Sequence, residues 1–322
     1  MINRKRKMKK YIVMLLVLVV ALTALAQQNR CQGCASSADS TEKKCCELQK
    51  PNAYATTYSA ADSIKVESLL NEARSLDKQT NLVLFFARKL LGIPYVAHTL
   101  EVNKEEQLVV NLRQLDCTTY VETVCALTLC ARNQQYTFAD YCHWLGQLRY
   151  RGGELKDYTS RLHYFTDWIE DNTCMGFVSE TQMNEPPFNA VQTVKVGFMT
   201  ANPQYYAMLK DNREFQAVIA RQEQALNGRQ YRYILKTDIT NTPAMRSAVK
   251  DGDIIAILTN KKGLDTSHIG IAVWHSDGLH LLNASQIRKK TVEEPMTLRE
   301  YMKKHPTQTG IRVVKLSAAS CD

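Results

Sequence analysis

Three polar residues in apolar surroundings carry the chemistry of this chain. Cys117 lies in Leu115-Asp116-Cys117-Thr118-Thr119-Tyr120-Val121-Glu122, where a residue suited to helix capping leads into an apolar run. His268 opens the strand-like stretch His268-Ile269-Gly270-Ile271-Ala272-Val273-Trp274, and Asn283 interrupts Leu281-Leu282-Asn283-Ala284-Ser285. A cysteine attacks as its thiolate, and a free thiol titrates near about 8.5, so a reactive one needs help. A helix start offers unpaired N–H groups and a positive dipole end, and a neighbouring imidazolium adds to both. An asparagine on the strand beside the histidine can hold the ring in one tautomer. Nucleophile, base and orienter in this order make acyl transfer the expected chemistry, which in water is hydrolysis of an amide. The Cys117 backbone N–H is expected to help form an oxyanion hole. The reaction requires neither a metal nor an organic cofactor.

Each residue alone has a plainer explanation. A cysteine after a capping aspartate is more often structural than reactive, and a histidine at a strand start is more often a satisfied edge residue than a base. An asparagine inside an apolar strand is rarer, because a buried amide has to find partners. The three together, with these flanks, point to catalysis. His98, His143, His275, His280 and His305 lack such a setting, and His275 and His280, on either side of Asp277-Gly278, are expected to be solvated.

Positioning the trio takes an α+β fold. Helical spacing runs over 59–75, 81–91, 117–132, 138–148 and 203–226, with Asp116 and Asn202 as N-caps and Pro203 at a first helical position. A short strand or turn is expected within 100–113. From Asp253 the character changes. Residues 253–258, 268–274, 279–284 and 311–316 read as strands, and Asp277-Gly278 is a strong hairpin signal. The C-terminal part is therefore expected to be an antiparallel meander with the nucleophile helix packed on it, and 133–235 a large, mainly helical insertion.

Residues 1–26 read as a secretory signal, with six basic residues between Arg4 and Lys10, an apolar stretch to about Ala26 and the ending Ala24-Leu25-Ala26. That stretch is shorter than the ~20 residues a spanning helix needs. The mature protein is thus expected to be exported, periplasmic or secreted, without a membrane span; a retained anchor is the alternative. Much of the formal charge of +9 belongs to this segment. The remainder has 35 basic and 32 acidic residues, a balance of +3 that is too weak and scattered for a nucleic-acid partner. Residues 27–58 read as a flexible linker in which Cys31, Cys34, Cys45 and Cys46 are open to disulfides or, with no histidine nearby, less readily to zinc. Cys125, Cys130, Cys142 and Cys174 read as small buried hydrophobes. Residues 59–322 then make one catalytic domain with ample core.

Asp116-Cys117-Thr118-Thr119-Tyr120-Val121 resembles the Asp-Cys-Ser-Gly-Phe-Val nucleophile motif of the NlpC/P60 cysteine peptidases. Lys250-Asp251-Gly252-Asp253-Ile254 is similar to their Pro-Gly-Asp strand start and His268-Ile269-Gly270-Ile271 to their His-Val-Gly-Ile strand. Leu282-Asn283-Ala284-Ser285 is similar to their Ile-His-Ala-Ser, with Asn283 where a histidine is common. The interval of 151 residues between Cys117 and His268 departs from compact members and implies the insertion. With Leu91-Gly92-Ile93-Pro94-Tyr95 and Ser160-Arg161-Leu162-His163-Tyr164, it resembles the DUF1460, N-acetylmuramoyl-L-alanine amidase-like, branch over residues 80–318. The resemblance implies a papain-like NlpC/P60 core and a peptidoglycan or muropeptide substrate, cut at the amide joining the muramic acid lactyl group to L-Ala. Tyr95, Arg161, His163, Tyr164 and Ser267 become candidate substrate-binding residues, Arg161 for a stem-peptide carboxylate and the tyrosines for stacking. The alternatives are a stem-peptide endopeptidase cutting between D-Glu and the diamino acid, a non-catalytic wall-binding module, and lipid-directed acyl transfer on the same scaffold.

Overall fold

The computed structural model of the chain describes residues 54–317. The expected signal segment 1–26, Cys31, Cys34, Cys45, Cys46 and Cys321 lie outside the described residues. The expected linker ends earlier than 58. Strand β1 (Thr56–Thr57) pairs in parallel with β2 (Leu108–Val109), and the Tyr54 hydroxyl donates to the Gly153 carbonyl. The Tyr54 ring lies so close to Gly146 that a Cβ there would meet it at 2.2 Å.

Among the described residues there are nine α-helices: α1 (Ala60–Ala73), α2 (Leu82–Lys89), α3 (Cys117–Arg132), α4 (Phe138–Arg149), α5 (Phe165–Cys174), α6 (Phe198–Ala201), α7 (Arg213–Leu226), α8 (Pro243–Ala248) and α9 (Leu298–Lys303). The other strands are β3 (Val178–Glu180), β4 (Ala190–Thr193), β5 (Gln230–Leu235), β6 (Ile254–Thr259), β7 (Thr266–Trp274), β8 (Leu279–Ser285), β9 (Lys290–Glu293) and β10 (Gln308–Leu316). They form one antiparallel sheet in the order β4-β5-β10-β6-β7-β8-β9, with β3 also paired to β10.

Two expectations are corrected here. The C-terminal strands are not a simple meander, because β10 returns to lie between β5 and β6. The insertion, mainly helical as expected, is not purely so, since it also supplies β3, β4 and β5 to the same sheet. The helix expected over 203–226 is a 3₁₀ turn, Pro203–Tyr205, followed by α7. Asn212 rather than Asn202 caps that helix, its side chain accepting the Phe215 N–H, with Glu214 in the first turn.

β6 reads Ile-Ile-Ala-Ile-Leu-Thr without polar alternation because both faces of the sheet are covered. Ile254, Ala256, Ile269, Ile271, Val273 and Leu282 belong to one core with α1–α5, while Ile255, Ile257, Ala272, Leu281 and Val313 belong to a second with α8 and α9. α3 is buried around its whole circumference, since every residue from Thr119 to Cys130 is buried. Its polar groups are therefore satisfied internally. Thr128 donates to the Val124 carbonyl, and the Glu122 carboxylate receives the Arg149 guanidinium of α4 at 2.8 Å, both side chains only 3% exposed. Arg149 also donates to the Val109 carbonyl, tying α4 to β2. Cys125, Cys130 and Cys142 are buried as expected, but Cys174, at the last residue of α5, is exposed. Among the described residues no helix is long and apolar enough to cross a membrane.

The buried pair yields a stability prediction. Arg149→Met leaves the Glu122 carboxylate buried and uncompensated, and the cost is expected at about 3–5 kcal/mol. It would be read as a lower urea midpoint, with most of the loss recovered in the Glu122→Leu/Arg149→Met double variant.

Candidate active site

The approach to the nucleophile is stitched from both sides. The Thr291 N–H donates to the Ile93 carbonyl and the Gly92 N–H to the Thr291 carbonyl, while the Ile93 N–H donates to the Thr291 hydroxyl; the Tyr95 N–H donates to the Lys289 carbonyl, and the Val96 N–H to the Leu115 carbonyl. The loop before α3 is thereby fixed to β9. The buried Asp62 carboxylate secures it further by accepting from the Leu112 N–H and Arg113 Nε while closing the cap of α1 with Ser59. Asp116 then caps α3. Its Oδ1 accepts the Thr119 N–H at 2.8 Å, and its own N–H donates to the Thr119 hydroxyl. Cys117 is the first residue of the helix, where the backbone N–H groups have no helical acceptor.

His268 and Asn283 come from β7 and β8. His268 Nε2 lies 3.0 Å from Asn283 Oδ1, and the Asn283 amide nitrogen donates to the Leu281 carbonyl. A carbonyl only accepts, so the amide NH₂ must face Leu281 and its oxygen must face the ring. Nε2 then carries the imidazole proton, and Nδ1 is left as the proton acceptor. Ser267 is the extra residue where the β6–β7 register shifts, between the pairs Ile257–His268 and Leu258–Thr266. Bulges of this kind re-aim neighbouring side chains beside functional sites.

Burial dominates the electrostatics. It pushes the Cys117 thiol up to about 12, helped by the Asp116 carboxylate and opposed by hydrogen bonds from the Ile269 backbone and from Thr118. Burial also holds His268 below its ordinary value, against the Asn283 hydrogen bond. The lowering expected from the helix start is opposed by this burial. Dehydration outweighs it, so each group taken alone is neutral. A proton transfer from the thiol to the imidazole would create both charges together, and their attraction would oppose the desolvation that penalises each one singly.

Cys117 and His268 share a cavity of about 230 Å³ whose walls include Leu162, His163, Tyr164, Phe165, Trp168, Tyr206, Asp265 and Ser267. A thiol paired with an asparagine-oriented imidazole in an aromatic-walled cavity is suited to acyl transfer. The profile of the AmiA-like family, described as N-acetylmuramoyl-L-alanine amidase-like, matches residues 85–311. The chain belongs to this family. An N-acetylmuramoyl-L-alanine amidase from Bacteroides uniformis ATCC 8492 is 36% identical, with a TM-score of 0.68 over 73% of this chain and 97% of that one. A Bacteroides fragilis protein provisionally named a xylanase is also 36% identical, with a TM-score of 0.66 over 71% of this chain and 99% of that one. A Legionella pneumophila protein of the DUF1460 family, 20% identical, shares the fold with a TM-score of 0.60 over 80% of this chain and 97% of that one. No curated protein matches the chain.

The candidate substrate-binding residues of this amidase-like protein fall in different places. His163, Tyr164 and Ser267 line the cavity. Burial, aided by Arg161, pushes His163 down to about 3, so the ring is neutral. Its Nε2–H donates to the Tyr158 carbonyl at 2.9 Å, which leaves Nδ1 as an acceptor. The Tyr164 hydroxyl is committed to Glu223 and to the N–H groups of Phe198 and Met199, so only its ring is on offer. Tyr95 does not line the cavity, yet its phenol is pushed up to about 12 by burial and by the nearby Cys117 and Asp116, so it keeps its proton beside the nucleophile. Arg161 is not in the cavity. It is buried in an ion pair with Glu106 at 2.9 Å and stacks on Tyr158.

Asp265 and Tyr301 were not among the candidates. Asp265 accepts the Thr166 N–H at 2.7 Å and so caps α5 from the start of β7. Tyr301 of α9 lies 6.4 Å from the His268 ring and 4.4 Å from that of His305. Neither sits in a recognisable motif; only the fold brings them to the site.

The thiol–imidazole coupling makes a pH prediction. Thiolate forms as pH rises through the thiol pKa, so His268→Ala, which leaves the half-buried Cys117 thiol near 12 without an imidazole partner, is expected to alkylate with iodoacetamide appreciably only above pH ~10. The native protein is expected to alkylate at Cys117 near pH 7. Identical pH profiles for the two would show that His268 does not ionise the thiol.

Proposed function

We propose that this amidase-like protein is an exported cysteine amidase of the NlpC/P60 superfamily, DUF1460 branch, with a papain-like core. Its reaction on this reading is cleavage of the amide between the N-acetylmuramic acid lactyl group and L-Ala in peptidoglycan fragments. One arrangement above all supports it, a thiol on the first residue of a buried helix sharing a cavity with a histidine whose Nε2 lies 3.0 Å from an asparagine oxygen. The family's description and the Bacteroides uniformis amidase support the bond assigned. Export rests on the signal-like segment 1–26.

In this reading Cys117 Sγ attacks the lactyl carbonyl carbon as its proton passes to His268 Nδ1. The oxyanion is met by the Cys117 N–H. The tetrahedral adduct collapses to a thioester, and the imidazolium returns its proton to the departing L-Ala nitrogen. Water, deprotonated by Nδ1, then hydrolyses the thioester and restores the thiol. The cavity walls suit an amide-linked sugar and peptide. Tyr206, Phe165 and Trp168 offer aromatic faces, and His163 Nδ1 offers an acceptor. With Arg161 held by Glu106, a stem carboxylate would have to be met by other groups.

The name of the Bacteroides fragilis relative suggests glycoside hydrolysis, which ordinarily uses two carboxylates flanking the scissile bond. Asp265 is the only carboxylate among the described residues lining the cavity, and its oxygens already accept the Thr166 and Thr266 N–H groups. Stem-peptide endopeptidase chemistry would use the same trio and differ only in how the cavity seats the substrate.

Mass spectrometry of defined muropeptides incubated with the protein tests the reading. Free stem peptide beginning at L-Ala, with the sugar intact, is expected. Cys117→Ala should lower the rate by a factor on the order of 10⁵–10⁶ while the fold is retained. Shortened stems still attached to sugar would assign the endopeptidase, and no cleavage would favour a wall-binding role.

A further inference from the structure

The tip of the β7–β8 hairpin holds a second cluster of polar side chains, away from the cavity. At about 3.3 Å per strand residue, His275 stands ~23 Å along the hairpin from His268. The ligand atoms of His275, Asp277 and His280 all lie within 4.8 Å of one another. His275 and Asp277 are exposed, whereas His280, expected to be solvated, is buried at 2% exposure.

The hydrogen bonds around the two rings fix which nitrogens are available. His280 Nδ1 lies 2.8 Å from the Glu294 carbonyl, which can only accept, so Nδ1 carries the proton. In the neutral ring Nε2 then presents a lone pair, and it faces Asp277 Oδ1 at 2.9 Å. Two acceptors so close need a cation or a proton between them. His275 Nε2 lies 2.6 Å from Glu293 Oε1, and the Glu293 carboxylate is itself gripped by Arg88 at 3.0 and 3.1 Å. Nε2 is therefore the donor there, and Nδ1 carries the free lone pair. Both imidazoles thus anchor one nitrogen on a carbonyl or carboxylate, and the two rings stack with their centroids 4.2 Å apart. Metal-ligating histidines are held in this way.

We propose that His275, Asp277 and His280 bind one transition-metal dication of the zinc type. Two imidazole nitrogens and one carboxylate oxygen are a borderline donor set that suits Zn²⁺ or Co²⁺ over Mg²⁺ or Ca²⁺. The exposed side of the cluster leaves a fourth position for water. The ion would clamp the hairpin whose other end carries His268 and Asn283. This proposal is independent of the catalytic reading.

Co²⁺ titration of the metal-free full chain, followed by absorption, is the test, because cobalt reports its ligands. Saturation at one equivalent with visible ligand-field bands and no thiolate charge-transfer band is expected. The absence of that band separates this site from binding by the cysteines at 31–46. His275→Ala and Asp277→Ala, both at exposed positions, should weaken binding by at least about tenfold, and Zn²⁺ should raise the melting temperature of the native chain but not of these variants. No saturable binding, a spectrum of thiolate type alone, or a titration unchanged in both variants would overturn the proposal. In that case a proton would hold the His280–Asp277 pair.

Discussion

The site depends on a buried amide that has to be satisfied. Asn283 is 1% exposed within a wholly buried strand. Leaving one of its polar atoms unpaired would cost roughly 1–3 kcal/mol. The Leu281 carbonyl takes the NH₂ and the His268 ring supplies a donor for the oxygen, so satisfying the amide also selects the imidazole tautomer. The two strands have to approach closely for this to happen. A Cβ on Gly270 would meet Leu281 Cγ and the Leu282 carbonyl oxygen at 2.7 Å, so only glycine lets β7 and β8 close beside the pair. A packing requirement in the sheet and a proton position in the active site are thus the same constraint.

The nucleophile is held by a trade of opposite sign. Burying α3 on every side secures the helix but places its first side chain where a lone thiolate is costly. The rise from the ordinary 9.0 to about 12 corresponds to roughly 4 kcal/mol. Two unit charges about 4 Å apart recover roughly as much at an effective dielectric near 20. On the proposed mechanism the thiolate therefore forms together with the imidazolium rather than alone. Asp116 adds to the tension, since it caps the helix through the Thr119 N–H while its charge opposes the thiolate one residue away. Its value as a cap lies in fixing where Cys117 points, which a mobile helix end could not do.

What was legible in the sequence was mostly local. A cap followed by a helical period located α3 at 117–132, and a β-rich run broken by Asp277-Gly278 located β7 and β8. Sheet order was not legible, because the pairing of β10 with β6 and β5 is set by contacts distant in sequence. β5 escaped because Gln-Tyr-Arg-Tyr-Ile-Leu, interrupted by Gln230 and Arg232, has too short an apolar run to distinguish it from its helical neighbours. Arg161 shows the limit at the side-chain level. An arginine beside candidate pocket residues resembles a carboxylate receptor, but the carboxylate it meets is Glu106, 55 residues upstream. Burial of that pair is a property of the fold and has no mark in either segment.

The division of labour within the chain follows from where the walls originate. Cys117, His268 and Asn283 all lie outside 133–235. Leu162, His163, Tyr164, Phe165, Trp168, Met199 and Tyr206 are supplied to the cavity from within it. On the proposed reading the chemistry belongs to the helix and sheet, while much of the cavity wall belongs to the insertion. Asp265 joins the two, since it precedes β7 and caps α5 of the insertion through the Thr166 N–H. Arg312 of β10 reinforces the junction from the sheet side, donating to the Thr166 hydroxyl at 2.8 Å and pairing with Glu180 of β3. Because these bonds converge on the first turn of α5, the aromatic wall carried by Phe165 and Trp168 is fixed relative to His268. Changes in the insertion that spare this junction can then reshape the cavity without moving the base.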